Sequence, residues 1–206
     1  MDRTTAETLE RWGLALTEEQ ASRLELFRAE LLEKNARLNL FSRNDADFLW
    51  PRHILDALAG APLLSRLVPP GGLVADAGAG AGFPGIPLAV ALEKIRFDLW
   101  DSSMRRQMFL TWTASRLKLG NARGVCARIG QSGGTEAGRY DAVVERAMGK
   151  LENILPQCLN MLRPGGVFLA WQSESGEGAA AEAVEAFSYR LPNEDKERFI
   201  LVFRKG

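Results

Sequence analysis

Residues 74–90 read VADAGAGAGFPGIPLAV: an apolar run stops at Asp76, and Gly78, Gly80, Gly82 and Gly85 follow at once. A stretch so stripped of side chains lets a backbone approach a ligand closely and turn through positive φ. A second apolar run, IRFDLWD, ends in another acid, Asp101. Two registers of the glycines compete. GAGFPG (80–85) matches G-x-G-x-x-G, in which a dinucleotide pyrophosphate rests on the first N–H groups of a helix. That register starts well past the strand and traps Pro84 inside the fingerprint. The register Asp76-Ala-Gly78-Ala-Gly80-Ala-Gly82 explains the acid as well. A carboxylate at a strand end is a poor neighbour for pyrophosphate and suits a ligand carrying ammonium and sulfonium charge. Asp101, about 20 residues beyond the glycines, is placed to accept the hydroxyls of a ribose. Together these features imply a site for S-adenosylmethionine, with a nicotinamide or flavin site and a plain tight turn as the alternatives.

Other reactive side chains are sparse. His53 is the only histidine, and it adjoins Arg52; it is either a satisfied structural residue or a substrate-facing one. Arg105 and Arg106 open a helix, where bases oppose the macrodipole, so helix stability does not account for them. With Arg43, Arg52, Lys118, Arg123 and Arg128 they form either a basic rim around the ligand mouth or a solvated face. Trp50, Trp100, Trp112 and Trp171 read as core, with one available to stack on a splayed base. Cys126 and Cys158 lie in apolar patterns without C-x-x-C or His spacing, so both read as core residues, no metal site is expected, and a reducing cytoplasm fits.

The elements that must position these groups follow from periodicity. The 206 residues suffice for one domain with a small appendage, and 26 basic against 26 acidic residues give no global case for a polyanionic partner. Residues 1–68 read as a helical region. Thr17 and Gln20 form a capping box ahead of Leu24, Phe27, Leu31 and Leu38, and a second helix over DADFLWPRHILDALAGAPLL bends or restarts at Pro51. SRLVPPGG (65–72) is a break, and residues 69–206 then alternate strand and helix: GLVADAG, PLAVALE, IRFDLWD, a helix from Ser103 closed by Gly120, ARGVCARI, YDAVVERA, LENILPQCLNMLRPGG and GVFLAWQ. A short Ala/Glu helix near 179–187 precedes an antiparallel pair. The fold class expected is α/β: a mainly parallel seven-stranded sheet with helices on both faces and an N-terminal helical extension, Rossmann-like. No run approaches a membrane span and no signal peptide is present, so a cytoplasmic protein without membrane contact, and a monomer, are expected.

In order along the chain stand LNLFSR (38–43), RHILDAL (52–58), DAGAGAGFPGIPLA (76–89), WDSSMRRQMFL (100–110), ERAM (145–148) and LRPGGVFLA (162–170). From about residue 15 to 172 this series resembles the bacterial RsmG family, formerly glucose-inhibited division protein B. The resemblance implies a Rossmann-like, S-adenosylmethionine-dependent methyltransferase acting on guanine N7 in small-subunit (16S) ribosomal RNA, free or in a ribosomal particle. It implies cofactor contacts at Gly78, Phe83, Asp101 and Ile129, with Arg146 at the methionine end. Asp76, Gly80 and Gly82 join these from the glycine register, and Gly130 by adjacency. Arg52, His53, Arg105 and Arg106 are the candidate RNA contacts, and Arg146 and His53 the candidate positioning residues. Two positions depart from the family pattern: Gly130 replaces an acid, and Gln172 stands where a lysine is usual. Guanine N7 carries a lone pair and no proton, so no general base is required. This agrees with the lack of a D/N-P-P-Y/F motif after the fourth strand and of a Pro-Cys nucleophile. A small-molecule methyltransferase, expected to carry an apolar lid, and a non-enzymatic RNA-binding protein of ribosome assembly are the rival readings.

Overall fold

The computed structural model describes residues 2–131, 136–173, 182–192 and 194–206, with the backbone alone at Arg43. Helix α1 (Arg3–Arg11) starts on Asp2, whose carboxylate accepts the Thr5 N–H at 2.8 Å. Helix α2 (Glu18–Leu38) has the predicted capping box: the Gln20 N–H donates to the Thr17 hydroxyl, and the Thr17 N–H donates to Gln20 Oε1. Its stripe of Leu24, Phe27 and Leu31 is fully buried. The next segment differs from expectation. It enters as a 3₁₀ turn (Arg43–Phe48), widens into a π-helical turn (Leu49–Ile54) and tightens into α3 (Leu55–Leu58). Pro51 has no N–H to give an α ladder, and the wide turn absorbs it without a break. The break falls at Ala59–Gly60, before α4 (Ala61–Leu67). A Cβ at Gly60 would collide with the Trp171 ring, so this glycine lets the helices close on the sheet.

The sheet has the order β3-β2-β1-β4-β5-β7-β6. Strands β1 (Leu73–Ala77), β2 (Arg96–Asp101), β3 (Ala122–Cys126), β4 (Tyr140–Arg146) and β5 (Leu162–Gln172) are parallel. Strands β6 (Glu185–Arg190) and β7 (Glu197–Arg204) form the antiparallel edge. Helices α5 (Gly85–Ala91), α6 (Met104–Arg116) and α7 (Leu151–Met161) connect them. Leu24, Phe27 and Leu55 share one core with Val74, Leu99 and Leu169, so the N-terminal helices pack on one face of the sheet. Helix α7 covers the other, over Ala75, Val143 and Phe168.

Three expectations are corrected. Residues 185–187 are strand, paired with Val202, Leu201 and Ile200, and not the end of a helix; residues 179–181 of that prediction lie outside the described residues. Helix α6 closes at Lys118 (φ +55), not Gly120, because the Leu119 N–H returns to the Ala114 carbonyl while Leu117 and Leu119 are buried. Cys126 is exposed, since β3 is the edge strand; Cys158 is buried as expected.

Strand order reverses between β1 and β4, the topological switch point of such sheets. Ala77 lies opposite both Trp100 and Glu145, so the ends of β1, β2 and β4 emerge together. Asp76 fixes the glycine turn from below: its Oδ2 accepts the Gly85 N–H at 2.8 Å. A Cβ at Gly85 would strike that carboxylate and Leu99. The Asp76 carboxylate is fully buried and its Oδ1 has no hydrogen-bond partner, so burial pushes it from an ordinary 3.8 up to about 7. Folding therefore binds a proton between about pH 4 and 7, and stability falls as pH rises through that window. Asp76→Asn keeps an acceptor for Gly85 and removes the charge. Thermal melts from pH 4 to 8 should show the variant losing less stability with rising pH, by on the order of 3 kcal/mol. An identical slope in both proteins would contradict the assignment.

Candidate functional site

Beside the glycine turn lies a cleft of about 480 Å³ lined by Gly78, Trp100, Asp101, Arg106, Ile129 and Gln157, among others. Gly78 has φ +69, and a Cβ there would lie 2.9 Å from Met148 Cγ, so only glycine brings the backbone to the cleft at this point. Asp101 is held by two backbone donors: Gly80 N–H to Oδ2 at 3.1 Å and Ser103 N–H to Oδ1 at 2.8 Å. Each oxygen keeps further acceptor capacity toward the cleft. Arg106 lies 3.6 Å from Asp101 Oδ2. Ile129 forms an apolar wall, and Gly130 (φ +78) donates its N–H to Glu136. The side chain nearest to where Gly130 would carry a Cβ is Gln157, with Oε1 at 3.3 Å.

On the other side of the β4 terminus is a second cavity of about 450 Å³. Asp56 organises it. Its buried carboxylate takes Arg146 Nη1 at 2.9 Å, the Tyr189 hydroxyl at 2.6 Å and Arg198 Nη1 at 3.4 Å, and its carbonyl accepts Trp171 Nε1 at 2.9 Å. Arg146 also donates to His53 Nδ1 at 2.9 Å and lies over the Phe83 ring. Burial, reinforced by the Arg146 charge, pushes His53 below its ordinary value. The ring is then neutral at pH 7, and accepting at Nδ1 puts its proton on Nε2, a buried atom at the edge of this cavity without a hydrogen-bond partner, 3.9 Å from Asp45. The two cavities share one residue, Ala147, which has the strained φ of +63.

The sequence-derived residues thus divide. Gly78, Asp101 and Ile129 line the first cleft, with Gly130 adjoining. Gly80 contributes an N–H that orients Asp101, and Gly82 packs on Phe27 and Ile86 beneath the loop. Asp76 is sealed below the turn, so the expected direct contact with a cationic ligand becomes support of the loop. Phe83 is buried among Phe27, His53 and Arg146, behind the second cavity, and lines neither cleft. Arg146 is moved to the second cavity, because Asp56 and His53 claim its guanidinium.

The basic rim does not form as one surface. Arg106 and Arg128 both line the first cleft, while Arg105 edges an apolar groove with Leu38, Met104, Met108 and Trp112. Arg52 is paired to Glu194 at the second cavity. Arg123 grips Asp98 with two bonds and Lys118 ends α6. Among the tryptophans, Trp100 and Trp171 are core, Trp50 is half-buried and Trp112 is exposed.

Sequence reasoning missed Asp56, Glu145, Ala147, Tyr189 and Arg198. The spacing of His53 and Asp56 within RHILD, one helical turn apart, was the available signal for the first. The others depend on long-range pairing.

Among the described residues no cluster of His, Cys, Asp or Glu is arranged to hold a metal, and no helix is long and apolar enough to cross a membrane. A ribosomal RNA small subunit methyltransferase G of Sorangium cellulosum is 35% identical, covering 86% of this chain and 74% of that protein. One from Staphylococcus aureus (strain bovine RF122 / ET3-1) is 31% identical, covering 97% and 88%. The solved structure of a SAM-dependent methyltransferase from Aquifex aeolicus superposes with a TM-score of 0.57 at 14% identity, over 81% of this chain and all of that one, which establishes likeness of fold. The family model for rRNA small subunit methyltransferase G matches residues 20–195. The strand order and the paired cavities at its switch point are therefore those of a chain that belongs to the rRNA small subunit methyltransferase G family.

Proposed function

We propose that this protein transfers a methyl group from S-adenosylmethionine to N7 of a guanine in small-subunit ribosomal RNA, across Ala147. The observation that carries this reading is the meeting of two differently lined cavities at that one strained residue. The first fits the methyl donor: Asp101 offers acceptors for ribose hydroxyls, Ile129 an apolar face for a base, and Gly78 a bare backbone beside them. S-adenosylmethionine, when bound there, supplies an electrophilic methyl on a sulfonium.

The second cavity fits the acceptor. A guanine presents two acceptors on one edge, N7 and O6. The unpartnered His53 Nε2–H suits O6, and leaves N7 free to take the methyl. The Arg146 guanidinium, backed by the Phe83 ring, offers a flat surface for a splayed base. Asp56 holds Arg146 in place, so positioning and electrostatics supply the catalysis. No base is needed, and His53 Nδ1 and Asp56 are already engaged. Charged walls in place of an apolar lid favour RNA over an apolar small molecule. Residues 1–68 then serve as a helical region that completes the acceptor cavity through Asp45, His53 and Asp56, and 69–206 as the methyltransferase domain. The partner is ribosomal RNA or a small-subunit particle, in the cytoplasm.

The test is to incubate the protein with methyl-labelled S-adenosylmethionine and ribosomal RNA or subunits lacking the modification, then digest to nucleosides. Label is expected in 7-methylguanosine from the small subunit; label confined to another nucleoside overturns the reading.

Two further outcomes follow from the cleft. Asp101→Ala should weaken S-adenosylhomocysteine binding by about 1.5–3 kcal/mol, the worth of hydrogen bonds to a charged group; calorimetry showing an unchanged Kd would remove Asp101 from the site. Arg105 and Arg106 should separate. Arg106→Gln is expected to weaken S-adenosylhomocysteine binding. Arg105→Gln should leave it unchanged while reducing the salt slope of RNA binding by about 0.7. Equal behaviour of the two variants in both titrations would contradict the split.

A further inference from the structure

We propose that Glu145 is the counter-charge for the methylated base: its carboxylate stabilises the positive charge that reaches the purine with the methyl group. This inference rests on guanine N7 being the acceptor.

Glu145 is the penultimate residue of β4, one before Arg146, and lines the acceptor cavity. Its side chain is almost wholly buried. Oε1 accepts the Met148 N–H, closing the turn over Ala147, while Oε2 is buried with no hydrogen-bond partner. A buried carboxylate oxygen left without a donor is costly and calls for a reason. Closing the turn does not supply one, because a neutral glutamine would cap Met148 equally well. The charge itself is the unexplained part.

Methyl transfer to N7 would use it. The N7 lone pair forms the new bond to the methyl carbon as the carbon–sulfur bond breaks, and that electron pair stays on sulfur. The sulfur becomes neutral, the purine becomes a cation, and no proton leaves. A fixed negative charge on the acceptor side favours this displacement of charge more than it favours the bound donor, which is the condition for raising kcat.

The groups around Glu145 are Arg146 beside it, Asp76 from β1 and Cys158 from α7, with His53, Asp56 and Arg198 elsewhere on the cavity wall. Burial pushes Glu145 up to about 7, with the Met148 N–H and Arg146 opposing, so its ionised fraction grows through the neutral range. His53 lies below its ordinary value and is neutral there. Asp76 titrates in the same range, so the variant must separate the two.

Glu145→Gln keeps the acceptor for Met148 and removes the charge. With excess protein and labelled donor on unmodified small subunits, the single-turnover rate is expected to fall about 10- to 100-fold. The Kd for S-adenosylhomocysteine should stay within about twofold. The wild-type rate should climb as pH rises through about 7, and the variant should lack this climb. Glu145→Asp, which keeps a charge, should retain part of the rate and the climb. Independently of turnover, the wild type should bind 7-methylguanosine monophosphate more tightly than guanosine monophosphate, and Glu145→Gln should lose that preference. If Glu145→Gln keeps the rate and the pH climb, or both proteins bind the two nucleotides in the same ratio, the inference is overturned. If the wild type forms no 7-methylguanosine, the functional reading itself fails, a result that nucleoside digestion distinguishes from the first.

Discussion

The Asp56 carboxylate is the contact on which the rest of the site depends. It comes from the N-terminal helices, yet its partners come from β4, β6 and β7: Arg146, Tyr189 and Arg198. Its carbonyl binds Trp171 of β5 as well. A buried carboxylate without such partners would cost several kcal/mol, and two guanidiniums and a phenol left behind would cost more. Burial and the neighbouring Asp56 charge push the Tyr189 hydroxyl far above its ordinary value, so it is a fixed neutral donor. The π-helical turn at 49–54 brings Arg52, His53 and then Asp56 to the sheet edge, and Gly60 lets the chain pass Trp171. The helical segment thus supplies Asp45, Arg52, His53 and Asp56 to the wall of the second cavity.

The acids of these strands differ in the donors that hold them. Asp98 meets both arms of Arg123 and the Tyr140 hydroxyl. Asp101 has two backbone N–H groups and the approaching Arg106. Asp76 and Glu145 each have one N–H, one orphan oxygen and deep burial, and both rise to about 7. In these two, desolvation outweighs the single backbone hydrogen bond each accepts. One of the two sits under the glycine turn and the other at the junction with the acceptor cavity.

Much of this was legible in the sequence. The glycines after Asp76, the acid ending β2 and the strand–helix alternation led directly to the sheet and its cleft, because those signals are local. The capping box at Thr17 held for the same reason. Arg146 was recognised as a site residue and expected at the cofactor cleft, whereas its side chain lines the second cavity. Alternate side chains of a strand leave by opposite faces, and which face meets which helix depends on where the N-terminal segment docks. Asp56 decides that docking through contacts more than 80 residues away in sequence. Cys126 and the Ala/Glu helix were misread because edge position in the sheet cannot be read from hydrophobicity alone. The role of Lys118 as helix terminator was hidden by the more obvious glycine two residues later.

The central claim is that donor and acceptor occupy separate cavities that meet at Ala147. A crystal structure with S-adenosylhomocysteine and 7-methylguanosine monophosphate both bound tests it most directly. The account predicts the adenosyl group along Asp101 and Ile129, the purine between His53 and Arg146, and N7 and sulfur facing each other past Ala147. A purine bound at the Trp112 groove, or an adenosyl group lying in the Asp56 cavity, would contradict it.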